Sequence, residues 1–239
     1  MATSSACIRQ TLRRANPMCG KFTQMSSWAE LHAFSQPLTI DPTDSVVTST
    51  PMRFAHIMRL GTDGQREMVA MRWGFADRLA AAPSQPKHMH ARGETVDRLP
   101  TFASAFAQAR GILMVRTFNE GEELPNGRTK QWVITPHDGQ PIAIGVICEE
   151  WRSGSETLAT FVQVTVPANK LIARISDRMP AILPRDKWAM WLGETRATPG
   201  EVKTVLQTFD DGGTWSMDEQ AKPARAPKPA KAAPQRELF

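Results

Sequence analysis

Two segments of the chain have the apolar periodicity of a helix. In residues 26–34, SSWAELHAF, apolar residues recur at helical spacing behind Ser27 and Glu30, which match a capping box. Residues 99–110, LPTFASAFAQAR, show the same period, and Pro100 suits the first turn of a helix. Shorter helices are predicted at residues 186–192 and 201–209.

Strands are predicted between these helices. Short apolar and β-branched runs predict them at residues 111–118, 131–135, 141–148 and 158–166. The second and third runs flank an Asp138-Gly139 pair, which is typical of a hairpin turn. Because strands follow strands and helices lie between the groups, we expect an α+β fold rather than a βαβ repeat. A chain of 239 residues forms one large domain or two small ones.

The net charge of +5 comes from the two ends of the chain. Residues 220–236 carry five basic and no acidic side chains, and residues 1–18 carry three basic and no acidic ones. Residues 19–219 hold 21 basic and 23 acidic side chains. The high pI therefore does not indicate a basic domain, and any DNA contact of the folded part requires a local patch.

The cysteines and histidines exclude several kinds of site. Cys7, Cys19 and Cys148 are an odd number at irregular spacing, so we expect neither disulfides nor a zinc site, and a cytoplasmic protein. The five histidines do not cluster with them, so we expect no metal and no cofactor. No apolar run approaches the roughly 20 residues of a membrane span. We expect a monomer without membrane contact.

The stretch ANPMCGKF, residues 15–22, places Cys19 directly after an internal methionine. If translation starts at Met18, removal of that methionine leaves Cys19 with a free amine and a thiol on neighbouring carbons. The acid-free leader, residues 1–18, is then either a misassigned start or a cleaved segment. The alternative is that Cys19 is an internal cysteine that packs as a small hydrophobic residue.

Four sequence islands follow one another along the chain. They are MCGKF at 18–22, RWGF at 72–75, HARGET at 90–95 with FNEG at 118–121, and TVPANKLIARISDRMPAIL at 165–183. Together they resemble the SRAP family, the SOS-response-associated peptidase proteins, over roughly residues 18–210. The resemblance implies one domain, residues 19–217, with mixed, mostly antiparallel curved sheets flanked by helices. It also implies action on abasic sites in single-stranded DNA during the DNA damage response, and therefore a nucleoid-associated location.

The resemblance further implies a covalent mechanism at Cys19. Its amine would attack the aldehyde of a ring-opened abasic sugar, and its thiol would then close a thiazolidine ring. An α-amine titrates at about 7.7–8.0, so a useful neutral fraction exists at physiological pH. Glu120 stands at the family's glutamate position and is the implied acid–base group. The implied DNA-binding residues are Arg92, Arg178, Trp73, Phe75, Glu94 and Asp177.

Several of these residues have a structural alternative. Trp73 and Phe75 are either stacking surfaces for the unpaired strand or aromatic residues of the core. Arg92 and Glu94 can form a structural ion pair. Glu120 is followed by two more glutamates, a pattern that also fits an exposed acidic loop.

The chain departs from the family pattern at two polar positions. His90 replaces an asparagine and Ser176 replaces a histidine, while Gly121 stands in place of a tryptophan. Serine cannot shuttle protons near neutral pH as an imidazole can. Either His90 supplies the imidazole from the opposite side of the pocket, or the protein only binds single-stranded DNA. We favour retained chemistry at a site of Cys19, Glu120, His90 and Ser176. A cysteine peptidase that acts on itself or another protein is a third possibility.

Residues 218–239 are rich in alanine, proline and lysine, which predicts a disordered tail. The tail ends in QRELF, which resembles the short motif with which bacterial replication and repair proteins dock on the sliding clamp. Leu238 and Phe239 would fill an apolar pocket, and Gln235 would make orienting hydrogen bonds. The alternative is a chance match, because five-residue motifs are common.

Overall fold

The computed structural model describes residues 21–24, 48–49, 51–77, 79–83 and 86–220. Its strands are β1 (Lys21–Gln24), β2 (Thr48–Ser49), β3 (Phe54–Leu60), β4 (Arg66–Trp73), β5 (His90–Arg92), β6 (Arg110–Glu123), β7 (Thr129–Pro136), β8 (Ile142–Ser153), β9 (Glu156–Pro167), β10 (Arg178–Pro180) and β11 (Trp215–Glu219). Its helices are α1 (Pro100–Gln108), α2 (Trp188–Leu192) and α3 (Pro199–Lys203), with 3-10 turns at Ile172–Arg174 and Arg185–Lys187.

Five of the strands close into a barrel. β6 pairs with β3, β3 with β4, β4 with β9, and β9 with β8, which returns to the other edge of β6. Gly111 marks the closure, since it lies opposite Arg59 of β3 and Val146 of β8. A Cβ atom at Gly111 would come within 2.6 Å of the Ile57 side chain, so only glycine lets the three strands meet here.

The second half of β6 leaves the barrel and organises a smaller wing of the sheet. Residues 117–119 of β6 pair with β1, and residues 118–123 pair with β7 on the other edge. β2 extends the wing beyond β1, and β11 extends it beyond β7. One long strand therefore connects the barrel to the wing, and Glu120 lies within its wing half.

Two short strands extend the opposite side of the barrel. β5 pairs in parallel with β9 at residues 163–165, and β10 pairs antiparallel with β9 at residues 165–167. Both strands carry residues of the sequence islands. The end of β9 is thereby the second place at which the predicted site residues collect.

The helices cover the barrel with the apolar faces that the sequence predicts. α1 begins at Pro100 and buries Phe102, Ala105 and Phe106. The Phe106 ring lies 6.1 Å from the ring of Trp191 in α2, and the Trp191 indole donates a hydrogen bond to the Gly111 carbonyl at 2.7 Å. No helix within the described ranges is long and apolar enough to cross a bilayer.

The α+β class, the helix at α1 and the four predicted strands are confirmed, and two predictions are corrected. The hairpin across Asp138-Gly139 is wrong, because β7 lies between β6 and β11 whereas β8 lies between β6 and β9. The chain does turn at Gly139, whose φ is 66°, but the strands on either side pair with different halves of β6. The helix predicted at 201–209 ends at Lys203. The helix predicted at 26–34 lies outside the described residues.

Candidate active site

Glu120 lies on β6 just beyond the barrel. Its exposed fraction is 1%, and it lies opposite Trp132 of β7. Its Oε1 atom accepts a hydrogen bond from the Gly121 N–H at 3.3 Å. Glu120 is thus a buried carboxyl group within a strand, and the exposed acidic loop that the sequence left open is not what the structure contains. Burial shields this carboxyl from bulk water, as is common for acid–base groups in active sites.

β1 brings the start of the domain alongside Glu120. Lys21 lies opposite Asn119, and Phe22 lies opposite Phe118. Cys19 itself lies outside the described residues, but only one residue separates it from Lys21 in the sequence. The first described residue of the domain is therefore paired with the immediate neighbour of Glu120.

Trp73 joins the wing to the end of β9. Its ring centroid lies 5.2 Å from that of Phe22 and 5.6 Å from that of His90, whose ring meets it edge-on. The indole N–H donates a hydrogen bond to the Met89 carbonyl at 2.9 Å. Trp73 is fully buried. It therefore acts as a core residue that sets the spacing between His90 and β1.

Phe75 is also a core residue. Its exposed fraction is 3%, and its ring packs against Phe102 of α1 with a centroid distance of 6.0 Å. For Phe75, as for Trp73, the structure supports the core alternative that the sequence left open rather than a stacking surface.

Glu94 and Arg178 form a bidentate ion pair at the end of β9. The Arg178 guanidinium donates to both Glu94 carboxylate oxygens, and its Nη2 atom also donates to the Thr165 carbonyl at 2.7 Å. The hydrogen bond from Arg178 lowers the pKa of Glu94 below its ordinary value. The partner of Glu94 is thus Arg178, which is only 8% exposed, and not Arg92 as the sequence suggested.

The remaining predicted residues lie close to this ion pair. Ser176 is buried, and its hydroxyl donates to the Arg178 carbonyl at 3.0 Å and accepts from the Arg178 N–H at 3.2 Å. Arg92 on β5 and Asp177 before β10 are exposed. Ser176 therefore shapes the turn into β10, while Arg92 and Asp177 present charges to solvent beside it.

Comparison with known proteins decides the family. A family model for the SOS response associated peptidase (SRAP) matches residues 18–219. This chain belongs to the SRAP family. The match covers both the barrel and the wing, together with every described residue of the candidate site.

Curated relatives and solved structures agree with this assignment. The abasic site processing protein YoqW of Bacillus subtilis is 25% identical over 202 residues, which is 81% of this chain and 88% of YoqW. The abasic site processing protein HMCES of Xenopus tropicalis is 26% identical over 155 residues, or 55% of this chain and 46% of HMCES. A crystal structure of a Bordetella bronchiseptica protein superimposes with a TM-score of 0.70 at 20% identity, over 85% of this chain and 100% of that protein. A Bacteroides thetaiotaomicron protein gives 0.71 at 19% identity, over 84% of this chain and 91% of that one.

One SRAP motif proves to be structural. The Asn169 side chain accepts a hydrogen bond from the Ile172 N–H at 3.0 Å, which starts the 3-10 turn before β10. Its amide group also donates to Asp211 at 2.9 Å and to the Phe209 carbonyl at 3.2 Å. Asn169 thus holds the loop between β9 and β10 against the end of the domain, which fixes where Arg178 enters the sheet.

One buried polar residue of this SRAP domain, Gln163, was not predicted from the sequence. Gln163 on β9 lies beside His90 of β5 in the strand register and is fully buried. The signal was present, because Gln163 interrupts the apolar and β-branched run FVQVTV. A glutamine in a strand that is buried on both faces requires an explanation.

Some predictions concern parts of the chain that the structure does not describe. Cys19 and the tail residues Gln235, Leu238 and Phe239 lie outside the described residues, so their roles stay predictions. Among the described residues, no group of three or more histidine, cysteine, aspartate or glutamate side chains could hold a metal ion.

Proposed function

We propose that this SRAP protein recognises abasic sites in single-stranded DNA and links to them covalently through Cys19. The observation that carries the proposal is the register of β1, which pairs Lys21 with the neighbour of the buried Glu120. Two Cα–Cα steps of 3.8 Å separate Cys19 from Lys21, so the two Cα atoms lie within about 8 Å of each other. The names of the curated relatives, abasic site processing proteins, support the choice of substrate.

The proposed reaction joins the aminothiol of Cys19 to the C1′ aldehyde of the ring-opened sugar. The neutral amine attacks C1′, and the resulting carbinolamine loses water to give an imine. The thiol then adds to C1′, and its proton passes to the imine nitrogen. The product is a thiazolidine, and the net change is the loss of one water molecule.

Glu120 and His90 are the proposed proton-transfer groups. Ring opening requires a proton on the ring oxygen, and dehydration requires one on the departing hydroxyl, so a positioned acid is needed twice. Glu120 offers a buried carboxyl beside β1. His90 of β5, whose ring contacts Trp73, offers an imidazole beside the end of β9. Ser176 has no proton-transfer role here, because its hydroxyl is engaged with the backbone of Arg178.

The charged residues at the end of β9 are proposed to bind the DNA backbone. Arg92 is exposed and can donate to phosphate oxygens without giving up an existing ion pair. Arg178 is already committed to Glu94 and Thr165, so its role is to hold the site together. The fold carries little positive charge overall, which makes a local contact of this kind necessary.

The reaction requires a free amine at Cys19. With residues 1–18 attached, that nitrogen is an amide and cannot form an imine. Either Met18 is the start and is removed, or the leader is cut off before Cys19, an autoproteolysis that would fit the peptidase in the family's description. Intact mass of the protein from native cells tests both routes, and a mature chain that still carries Ala2 would reject both.

The test of the proposed chemistry is crosslinking of a chain that starts at Met18 to abasic single-stranded DNA, followed on denaturing gels. Glu120→Gln should slow adduct formation by about 10²–10⁴-fold, because it removes the acid but keeps the shape. His90→Ala should also slow it. Glu123→Gln, an exposed glutamate of the same strand, is the matched control and should react as the unmodified chain does.

Two results would count against the proposal. If no adduct forms with any of these proteins, covalent capture is rejected, which favours the single-stranded DNA-binding adaptor and leaves the peptidase to be tested on a peptide substrate without DNA. If His90→Ala and the unmodified chain react at equal rates, His90 has no part in the mechanism.

Docking of the tail on the sliding clamp is proposed separately. A polybasic, proline-rich tether would let the domain search nearby DNA while QRELF stays bound. Deletion of residues 235–239 should then abolish binding to purified clamp, and unchanged affinity would reject the idea.

A further inference from the structure

Gln163 is a buried amide that lacks hydrogen-bond partners. It lies on β9 with an exposed fraction of 0%. Within the described part of the chain, neither its Nε2 nor its Oε1 atom has a hydrogen-bond partner, and both atoms are closed to solvent. A buried polar group without a partner loses its hydration and gains nothing in exchange. Such groups are rare in folded proteins and often mark functional sites.

The surroundings of Gln163 place it at the candidate site. Gln163 and His90 are register partners on neighbouring parallel strands, so their side chains lie side by side on one face of the sheet. Thr165, two residues further on the same face, accepts hydrogen bonds from Arg178 through its backbone carbonyl at 2.7 Å and its hydroxyl at 3.3 Å. Gln163 is therefore the register neighbour of His90 and lies two residues before Thr165, which contacts the Arg178 guanidinium.

A chain of ring contacts connects this position to Glu120. His90 meets the Trp73 ring, and Trp73 meets the Phe22 ring. Phe22 lies opposite Phe118, and Glu120 follows on the same face of β6 two residues later. Gln163 and Glu120 thus lie next to the two ends of a row of rings, which consists of His90, Trp73, Phe22 and Phe118. A ligand that contacts the His90 imidazole lies beside the Gln163 side chain, because the two residues are register neighbours.

The chemistry of an amide selects the kind of group that it can bind. A glutamine side chain has both N–H donors and a carbonyl acceptor, and it best complements a group that also donates and accepts, such as a hydroxyl. In an internal abasic site the 3′ and 5′ oxygens are phosphate esters. Opening of the sugar ring frees one new hydroxyl at C4′ while the aldehyde forms at C1′. The closed form carries its free hydroxyl at C1′ instead, so the position of the hydroxyl, at C4′ rather than C1′, distinguishes the reactive open form from the closed form.

We propose that Gln163 binds the C4′ hydroxyl of the ring-opened abasic sugar and so selects the form that Cys19 can attack. The inference rests on the proposed function. Glutamine has three side-chain torsions, so its amide can turn toward a ligand beside His90 without movement of the strand. The Gln163 amide, which lacks partners within the described part of the free protein, then forms its hydrogen bonds only with the open-chain substrate. Gln163 is a specificity residue in this scheme, and proton transfer stays with Glu120 and His90.

The test uses the full chain and oligonucleotides that cannot be crosslinked. A borohydride-reduced abasic site is permanently open and carries the C4′ hydroxyl, together with a C1′ hydroxyl in place of the aldehyde. A tetrahydrofuran site is permanently closed and carries neither hydroxyl. The unmodified protein should bind the reduced site roughly 10-fold more tightly than the tetrahydrofuran site, and Gln163→Met should bind both within about twofold. Gln163→Leu serves as a second variant should Gln163→Met fold poorly.

Stability supplies an independent measurement. Removal of an unpartnered buried amide should raise the Tm of Gln163→Met by about 2–4 °C, so the variant should gain stability as it loses selectivity. Gln140→Met, at an exposed position in the turn before β8, should change neither.

The outcomes separate the two levels of the proposal. If both Gln163 variants keep the preference for the reduced site, the role of Gln163 is rejected while the proposed function stands. If the chain that starts at Met18 forms no adduct with aldehyde-bearing abasic DNA, the proposed function fails and the role of Gln163 fails with it.

Discussion

Arg178 and Glu94 show how an ion pair between single residues can support the candidate site. Arg178 is 8% exposed and gives its guanidinium to Glu94 and Thr165. Within the described residues its Nε atom has no partner, so Glu94 is the main compensation for a nearly buried charge. Removal of that carboxylate would leave the charge beside Gln163 and His90 without its counterpart.

Acid should weaken this ion pair. The pKa of Glu94 is lowered in the folded protein, chiefly by the hydrogen bond from Arg178, whereas an unfolded glutamate titrates at about 4.3. The stabilisation is therefore complete above about pH 5 and is lost as the pH falls through the lower folded pKa. Because the Glu94 side chain is 46% exposed, water screens part of the interaction with the buried guanidinium. Glu94→Gln should reduce the free energy of unfolding by about 0.5–1 kcal/mol at pH 7, and the difference should shrink below about pH 4.

The matched control for Glu94 is Glu67, whose ion pair with Arg59 is about one-third exposed on both sides. Thermal unfolding of Glu67→Gln should show a loss below about 0.5 kcal/mol at pH 7. Equal losses for the two variants, or a Glu94→Gln loss that persists at low pH, would contradict the role assigned to Glu94.

At the scale of elements, β6 determines the architecture because it belongs to both the barrel and the wing. Gly111 allows β3 and β8 to approach its two edges. An added Cβ would lie 2.6 Å from the Ile57 side chain and 3.0 Å from the Met58 carbonyl, and the second contact cannot relax by a rotamer change. Gly111→Ala should therefore cost about 1–3 kcal/mol in denaturant unfolding.

Gly145 on β8 is the control for Gly111, because the nearest atoms to its Cβ are side-chain atoms at 3.3–3.4 Å. Gly145→Ala should destabilise the protein less than Gly111→Ala does. If Gly145→Ala destabilised the protein more than Gly111→Ala, Gly111 would not be the position that limits closure of the barrel.

The elements that the sequence predicted are those with continuous apolar runs. β6, β8 and β9 are buried on most positions, so their composition alone indicates strands. β3 and β4 were missed because exposed and buried residues mix along them, with Arg59, His56 and Glu67 among them. The false hairpin arose because a turn signal is local, whereas β11, which takes the free edge of β7, lies about 80 residues further along the chain.

At the scale of the whole molecule, the candidate site lies where the wing meets the end of β9. Periodicity cannot bring Glu120 and His90 together, because they lie on different strands with no direct pairing. The resemblance to the SRAP family named both residues, and Trp73 provides the physical link between them. Gln163 escaped notice because the family pattern does not mention it, and only the structure reveals an amide without partners.

The position of the covalent bond is the most direct test of the proposed function. The chain that starts at Met18 should be reacted with abasic single-stranded DNA, digested with protease and nuclease, and analysed by mass spectrometry without any reducing agent. The adduct should map to Cys19 and have lost one water molecule. Cys148 should carry none, because it is 4% exposed and burial raises the pKa of its thiol to about 12. An adduct on Cys148 or a lysine, or one that survives only after borohydride reduction, would contradict the mechanism.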